Sequence, residues 1–302
     1  MTGHQMIASD FSRFSEAIAD TVAAVAGAIV GVDDGTRLTA TGVVWSADGV
    51  IVATSHGVER DEDLAVMMAD GAMVPATLIG RDDETDIAVL RIESAGLSPV
   101  THGTDAPRVG ELVLAVARPG DSGLAATLGV VSARRETETN GAPEYILYTD
   151  AVLYPGFSGG ALIAAGSGHF LGLLNRIYGR GMGVALGAPL VERVVATLLT
   201  HGRIPRGYLG IRTQLVSLPE SLRSNLGLTQ ETGLLLAHVE PGSPGDTAGL
   251  MLGDTLLGID DSAMEDVGDL RGRLSAGREV NLKLLRGGAV IELNATPSAL
   301  RG

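Results

Sequence analysis

The sequence predicts a mainly β protein in which closed antiparallel barrels precede a smaller domain of strands and helices. Short runs of Val, Ile, Leu, Ala and Thr alternate with turns that draw on 42 glycines, a pattern typical of barrels built from many short strands. Aromatic residues make up only 3% of the chain, so the core must be aliphatic. A length of 302 residues exceeds one average domain, and we expect two.

The composition excludes several classes of function. A formal net charge of −14 repels a phosphate backbone, and no basic run is dense enough to form a nucleic-acid site, so we expect no nucleic-acid partner. The chain contains no cysteine, which excludes disulfides, a thiol nucleophile and cysteine-ligated zinc.

The N-terminal residues predict a helix rather than a membrane anchor. The apolar positions of a helical segment at residues 10–27 follow helical spacing: Phe14, Ile18, Val22 and Val25. The most apolar stretch there is short for a bilayer and contains Asp20. The sequence as written shows no signal peptide or transmembrane segment, so we expect a cytoplasmic protein. The alternative is an extracytoplasmic or periplasmic protein with a trimmed N-terminus.

Strand-like runs continue to the predicted domain boundary. The stretch "LTATGVVWSADGVIVATSHG" predicts two strands joined by an Asp-Gly hairpin turn, and similar runs follow it. A helix at residues 189–200 ends the first domain, residues 1–200, and "HGRIPRG" indicates a linker at residues 201–206. Residues 207–302 form the second domain, with helical pieces near 245–249 and 267–274.

One serine lies among glycines in the strand-like run "DAVLYPGFSGGALI". A serine hydroxyl is a poor nucleophile unless a base accepts its proton and donors receive the oxyanion that forms on the substrate. Glycines beside Ser158 let the backbone turn, so that the N–H groups of Gly156 and Ser158 point at one small hole. The same composition is common in hairpin turns, so the motif needs partner residues elsewhere in the chain.

The candidate base and the candidate carboxylate lie in the first half of the chain. His56 ends a strand, where a base on a barrel rim is expected, although a lone histidine there is usually solvated. Asp86 directly precedes the apolar run "IAVL" and can be buried to orient the imidazole. The other histidines lie in the tail, loops, linker or second domain: His4, His102, His169, His201 and His238. The neighbouring acidic residues are expected to be solvated: Asp82, Asp83 and Glu84.

The order His56, Asp86, Ser158 is that of the chymotrypsin-like class of serine hydrolases. An α/β-hydrolase elbow is the weaker alternative, because it needs a helix after the serine, and here a strand follows.

These segments resemble the HtrA/Deg-type trypsin-like serine proteases with a C-terminal PDZ domain. The resemblance runs along nearly the whole chain from about Thr39, through "TGVVWSADGVIVATSHGV", "RDDETDIAVLRIE", "RVGELVLAVARPG", "ATLGVVSA" and "TDAVLYPGFSGGAL". It implies a chymotrypsin-like double β-barrel protease domain followed by a smaller α+β PDZ domain. This chain departs from the family at Tyr154 and Phe157, where asparagine is usual.

The resemblance also implies roles for single residues. His56 is the general base, Asp86 orients it, and Ser158 attacks the scissile carbonyl. The oxyanion hole lies at Gly156, Phe157 and Ser158. The residues that match the wall of the primary specificity pocket are Asn175, Ile177, Tyr178 and Gly183, and their aliphatic surroundings favour cleavage after small or medium apolar residues.

In the second domain, "RGYLGIR" resembles the carboxylate-binding loop of PDZ domains. Backbone N–H groups there can receive a peptide C-terminus, and the following strand edge can accept a peptide as an added strand. The expected peptide-binding residues are Tyr208, Leu209, Gly210, Ile211, Leu270 and Leu274. The two leucines belong equally well to the domain core.

The sequence therefore predicts an ATP-independent serine endopeptidase that cleaves unfolded or misfolded polypeptides, with no cofactor and no metal. The resemblance further implies a homotrimer or a multiple of it, and peptide C-termini as ligands of the PDZ domain. The rival hypothesis is an inactive peptide-binding or chaperone-like protein with the protease fold, which only Phe157 favours.

Overall fold

The structure is a computed structural model that describes residues 3–35, 40–94, 96–103, 105–120, 123–139, 142–176, 182–205, 207–260, 262–264, 270 and 272–299. The chain divides into two compact units, Met1–Ile204 and Pro205–Gly302. The division falls inside the segment that the sequence marks as a linker.

The first unit begins with a helix that is longer than predicted. Helix α1 spans Gly3–Val25 and continues into a short 3₁₀ turn at Ala26–Ala28. The described side chains of α1 that pack against the hydrophobic core lie in its C-terminal half: Ile18, Val22 and Val25. In the sequence the helical spacing continues N-terminally through Phe11 and Ile7, so the earlier start had a signal that the predicted bound at residue 10 left out.

Two closed six-stranded barrels follow, and they confirm the predicted fold class. The first has the order β1-β2-β3-β6-β5-β4 and closes because β1 pairs antiparallel with β4. Its strands are β1 (Ile29–Asp33), β2 (Ala40–Val44), β3 (Val50–Ala53), β4 (Leu64–Met67), β5 (Met73–Asp82) and β6 (Ile87–Ile92). The core is aliphatic, as expected, since Val, Ile, Leu and Ala side chains from these strands fill it.

The second barrel has the order β10-β11-β12-β9-β8-β7 and closes through the antiparallel pair of β10 and β7. Its strands are β7 (Leu112–Ala117), β8 (Ala125–Thr139), β9 (Ala142–Thr149), β10 (Ala161–Ala164), β11 (Phe170–Asn175) and β12 (Gly183–Gly187). Helix α2, Ala188–His201, then returns to the core of the first barrel, where Val191, Val194 and Leu198 are buried. It ends at Gly202, whose φ of 69° is the left-handed conformation that glycine adopts readily.

In its described part, the second unit consists of sheets and short helices. Its main sheet has the order β14-β15-β16-β18-β19, so β14 is an edge strand. The elements are β13 (Gly207–Tyr208), β14 (Ile211–Ser217), α3 (Glu220–Leu226), β15 (Thr232–Val239), α4 (Pro244–Thr247), β16 (Thr255–Ile259), β17 (Ser262–Ala263), β18 (Val280–Arg286), β19 (Ala289–Ala295) and β20 (Ser298–Ala299).

The helices of this unit differ in part from the sequence prediction. Helix α4 lies close to the piece expected near 245–249. Of the piece expected at 267–274, residues 270, 272 and 273 are helical and residue 274 is not, while the other four lie outside the described residues. Helix α3 was not predicted. Pro219 precedes it and Gly227 ends it with a φ of 65°, so proline before the helix and glycine after it were its signals in the sequence.

Candidate active site

His56 follows the third strand of the first barrel. Strand β3 is buried along its whole length, and the chain then enters a 3₁₀ turn at Ser55–Gly57. The backbone N–H of Gly57 closes this turn by donating to the carbonyl of Thr54 at 3.1 Å. The side chain of His56 is 29% exposed, so part of the imidazole reaches solvent while its Nδ1 faces the protein.

Asp86 lies at the entry to β6 and is held by several hydrogen bonds. Its carboxylate accepts from the backbone N–H of His56 at 2.8 Å, from Nδ1 of His56 at 2.5 Å and from Nδ2 of Asn175 at 2.7 Å. Its φ of 57° is a left-handed backbone conformation, which a non-glycine residue keeps only where its surroundings fix it. The structure thus brings His56 and Asp86 together, and the backbone of Asp86 is held in a strained conformation there.

The pairing with Asp86 determines the protonation pattern of the imidazole. An ionised carboxylate only accepts hydrogen bonds, so Nδ1 of His56 carries a proton. In the neutral ring, Nε2 is then the nitrogen with a free lone pair. This tautomer gives His56 a basic nitrogen on the side away from Asp86.

The turn before Asp86 corrects one expectation from the sequence. Asp82 is only 6% exposed, because its Oδ2 accepts hydrogen bonds from the backbone N–H of Thr85 at 3.2 Å and from Oγ1 of Thr85 at 2.7 Å. The prediction that Asp82 is solvated was therefore wrong. Asp83 is exposed as expected, and its carboxylate accepts a hydrogen bond from Oγ of Ser55 at 2.6 Å.

Ser158 lies in the loop between β9 and β10 of the second barrel and is 7% exposed. Its Oγ accepts a hydrogen bond from the backbone N–H of Arg176 at 3.2 Å. A hydroxyl both donates and accepts, so this contact leaves the proton of Ser158 free to be donated. The described contacts include no hydrogen bond from Oγ to His56, and such catalytic bonds often tighten only when substrate binds.

Two backbone donors remain beside the serine. The N–H of Phe157 donates to the carbonyl of Tyr154 at 3.1 Å, so of the three predicted oxyanion-hole residues this one has its donor engaged. Within the described part of the chain, the N–H groups of Gly156 and Ser158 have no acceptor. These two groups are therefore the available donors for a developing oxyanion.

The ring of Phe157 points into the second barrel. It is 1% exposed and belongs to the core cluster of the second barrel together with Leu174 and Ala185. Tyr154 contacts it edge-on, with ring centroids 5.8 Å apart. The ring thus packs beneath the serine loop as a core residue.

The predicted specificity residues are only partly described. Ile177 and Tyr178 lie outside the described residues. Asn175 is fully buried and holds Asp86, a contact that the sequence gave no means of finding because it joins two distant strands. Gly183 lies against Leu153: a Cβ at this glycine would be 3.2 Å from Cγ of Leu153 and 2.8 Å from Cγ2 of Thr149.

In the second unit, the predicted carboxylate-binding loop precedes the edge strand β14. Leu209 is buried at 2% exposure, and Gly210 has a φ of 75° where an added Cβ would be 2.2 Å from that of Ser243. The hydroxyl of Tyr208 donates to Glu240, and this hydrogen bond raises the pKa of Tyr208. Ile211 begins the edge strand. Two further predicted residues belong to the core of this unit: Leu270 and Leu274.

Comparison with known proteins agrees with this division of the chain. A family model of the trypsin-like peptidase domain matches residues 40–173, and one of the PDZ domain matches residues 207–296. A Halomonas elongata protein named "probable periplasmic serine endoprotease DegP-like" is 32% identical over 261 residues, covering 83% of this chain and 54% of that protein. A Chlamydia pneumoniae protein of the same name is 32% identical over 268 residues, covering 85% and 54%. The chain spans about half the length of the curated relatives it matches.

Solved structures give the same result over nearly the whole chain. The HtrA-type protease AlgW with a decapeptide superposes with a TM-score of 0.77 at 27% identity, covering 94% of this chain and 99% of that one. The serine endoprotease from Yersinia pestis gives a TM-score of 0.75 at 28% identity, covering 94% and 98%.

The fold and the site define this chain as a trypsin-like peptidase domain joined to a PDZ domain. The chain belongs to the HtrA-type serine protease family. Among its described helices, none has the length and apolar character required to cross a bilayer.

Proposed function

We propose that this protein is a serine endopeptidase that cleaves unfolded polypeptides without ATP, and that His56, Asp86 and Ser158 are its catalytic residues. The observation that carries the proposal is the carboxylate of Asp86, which binds Nδ1 of His56 in one barrel and Asn175 of the other. The names of the relatives as serine endoproteases support the same activity.

Each step of the proposed reaction uses groups of this chain and water. Nε2 of His56 accepts the proton of Ser158 as Oγ attacks the scissile carbonyl, and the resulting oxyanion is bound by the N–H groups of Gly156 and Ser158. Asp86 stabilises the imidazolium, which then protonates the leaving amine. Water, deprotonated by His56, hydrolyses the acyl-enzyme and restores the serine.

We further propose that the primary specificity pocket selects small or medium apolar side chains. The observation behind this proposal is Gly183, where an added Cβ would be 3.2 Å from Cγ of the half-buried Leu153, so an aliphatic side chain lies beside this predicted pocket residue. A charged substrate side chain would lose its hydration there without gaining an ionic partner. Sequencing the fragments of a digested unfolded protein tests this preference directly.

The test of the activity is digestion of reduced casein without ATP and with a chelator present. The wild-type protein is compared with Ser158→Ala, and Ser167→Ala serves as the matched control because Ser167 lies exposed in the turn between β10 and β11. We expect fragments from the wild type and the control, and none from Ser158→Ala. Cleavage that persists in Ser158→Ala would refute the assignment of the nucleophile.

The rival function is peptide binding by a protease fold that has lost catalysis. It is favoured by the hydrogen bond that Ser158 accepts from Arg176, since no contact to His56 accompanies it in the described residues. A folded wild-type protein that neither digests casein nor reacts with a fluorophosphonate, yet binds casein, would support this rival.

For the PDZ domain we propose binding of peptide C-termini. Strand β14 is an edge strand of its sheet, so its free side can pair with an extended peptide, while the backbone at Leu209 and Gly210 receives the carboxylate. The test is fluorescence anisotropy with Ser158→Ala and apolar peptides that differ only in a free or an amidated C-terminus. Equal affinities for the two peptides would contradict the proposed carboxylate site.

The assembly and the location are further proposals. A homotrimer is supported by exposed apolar side chains on α1, where Phe11 is 72% and Phe14 is 44% exposed. Light scattering of the wild type and of a variant with both phenylalanines changed to serine tests it, and a monomeric wild type would contradict it.

The word periplasmic in the names of the relatives supports the extracytoplasmic location over the cytoplasmic one.

A further inference from the structure

Thr41 lies on β2 of the first barrel but contacts the serine loop of the second. It is fully buried. Its Oγ1 donates to the carbonyl of Gly156 at 2.7 Å and accepts from the backbone N–H of Arg118 at 3.0 Å. Its own backbone N–H donates to the carbonyl of Ser158 at 3.1 Å. One residue of the first barrel therefore holds two carbonyls of the loop that carries the nucleophile.

The direction of these hydrogen bonds is fixed by their partners. The N–H of Arg118 can only donate, and the carbonyl of Gly156 can only accept. The hydroxyl of Thr41 must accept the first bond and donate the second, so both of its roles are used. A side chain without a hydroxyl would leave a buried donor and a buried acceptor unpaired.

The peptide units of the loop alternate between those that Thr41 holds and those that offer free donors. The unit between Gly156 and Phe157 is fixed at both ends, by the hydroxyl of Thr41 on its carbonyl and by Tyr154 on its N–H. The unit between Ser158 and Gly159 is also fixed at both ends, by the N–H of Thr41 and by the carbonyl of Leu174. The free N–H of Ser158 belongs to the unit between these two, and the free N–H of Gly156 belongs to the unit directly before the first of them.

Arg118, whose backbone N–H binds Oγ1 of Thr41, is itself held in place by hydrogen bonds. Arg118 is 7% exposed, and its guanidinium donates to the carbonyl of Ile29 at 2.8 Å and to that of Ala26 at 3.1 Å. Burial lowers the pKa of Arg118. The backbone N–H that binds Thr41 is thus anchored to the start of the first barrel, and Thr41 is held in one position.

We infer that the hydroxyl of Thr41 is a positioning group for the oxyanion hole. It acts by fixing the carbonyl of Gly156, and thereby the direction of the neighbouring N–H groups of Gly156 and Ser158. This inference rests on the proposed serine endopeptidase activity. It differs from the roles of the catalytic residues because Thr41 touches neither substrate nor the reacting atoms.

Two matched pairs of proteins test the role of this hydroxyl. In wild type against Thr41→Val a methyl group replaces the hydroxyl, and in Thr41→Ser against Thr41→Ala the hydroxyl is removed. Steady-state cleavage of a fluorogenic peptide gives kcat and KM. Removing an oxyanion-hole donor costs about 10²–10³ in kcat, and we expect displacement of the donors to cost roughly 10- to 100-fold, with KM within about twofold. Thr41→Ser should stay within about threefold of the wild type, since it retains the hydroxyl.

A peptide aldehyde with the residues of the substrate provides a second readout. Its hemiacetal oxyanion needs the hole, so its inhibition constant should rise in proportion to the loss of kcat/KM, whereas KM should not follow. Equal kcat within both pairs would overturn the inference while leaving the proposed activity intact. An inactive wild type that does not react with fluorophosphonate would overturn both. If Thr41→Val does not fold, the pair of Thr41→Ser and Thr41→Ala decides.

Discussion

The two barrels of the first unit share one architecture but order their parts of the site in different ways. In the first barrel, side chains do the ordering: the carboxylate of Asp86 binds His56 across a short stretch of chain. In the second barrel the backbone of the serine loop is ordered by hydrogen bonds, and the ring of Phe157 packs beneath the loop. Each part also depends on the other barrel, since Asn175 holds Asp86 and Thr41 holds the serine loop. The effect of a substitution on this site is therefore expected to depend on which barrel carries the substituted residue.

The largest effect is expected from the side-chain pair of the first barrel. Asp86→Asn keeps the shape of the residue but offers His56 an amide, which can stabilise the wrong tautomer and no longer balances the imidazolium. We expect kcat near neutral pH to fall roughly 10⁴-fold, the magnitude typical of this change in Ser-His-Asp enzymes. The measurement is kcat on a fluorogenic peptide, with the melting temperature as control. A loss under about tenfold in a folded variant would contradict the orienting role.

In the second barrel, the substitution of Phe157 should first lower the free energy of unfolding. Phe157→Ala removes a ring that is 1% exposed, and Phe→Ala substitutions in cores cost about 3–5 kcal/mol. Urea unfolding followed by circular dichroism measures the change. Tyr154→Ala is the control, because this ring is 56% exposed and its removal should cost clearly less. Equal losses from the two variants would mean that Phe157 is not the support of the loop.

The bond between the barrels at Asn175 should have an intermediate effect. Asn175→Ala removes a donor to the carboxylate of Asp86 at 2.7 Å. Hydrogen bonds to charged groups contribute about 1.5–3 kcal/mol, so we expect kcat/KM to fall roughly 10- to 100-fold. The check is the rate at which a fluorophosphonate modifies Ser158 in the wild type and in Asn175→Ala. An unchanged rate would show that the first barrel orders its pair without help.

The smallest effect is expected within the first barrel, at Ser55. Its Oγ donates to Asp83, which is exposed, so Ser55→Ala loses a bond that water can replace. We expect kcat/KM to change by no more than about fivefold, in line with a net contribution near 1 kcal/mol. A loss as large as that of Asn175→Ala would place Asp83 among the groups that position His56.

Much of this arrangement could be predicted from the sequence because it is local. Alternating apolar runs and Gly-containing turns gave the strands of both barrels, and the order of three segments gave His56, Asp86 and Ser158. Helix α3 was missed, although Pro219 and Gly227 indicate its ends. The start of α1 was placed at residue 10 rather than Gly3, although Ile7 and Phe11 continue its helical spacing.

The contacts between the barrels could not be predicted. Asn175 was assigned to the specificity pocket from its place in the chain, whereas its hydrogen bond to Asp86 spans 89 residues. Thr41 gave no signal at all, since its hydroxyl meets Gly156 only after both barrels have closed. The burial of Asp82 was also missed, although its partner is local: Thr85 donates a hydrogen bond to the carboxylate of Asp82 within the same acidic turn. Local patterns specify elements, whereas the contacts of Asn175 and Thr41 form only when the barrels close.

The most direct test of the account is covalent labelling of the nucleophile. The wild type, His56→Ala and Thr41→Val are treated with diisopropyl fluorophosphate, and the modified peptide is identified by mass spectrometry. We expect a single adduct on Ser158 in the wild type, no detectable adduct in His56→Ala and slow labelling in Thr41→Val. An adduct on another residue, or labelling of Ser158 that is undiminished in His56→Ala, would contradict the catalytic site described for this protein.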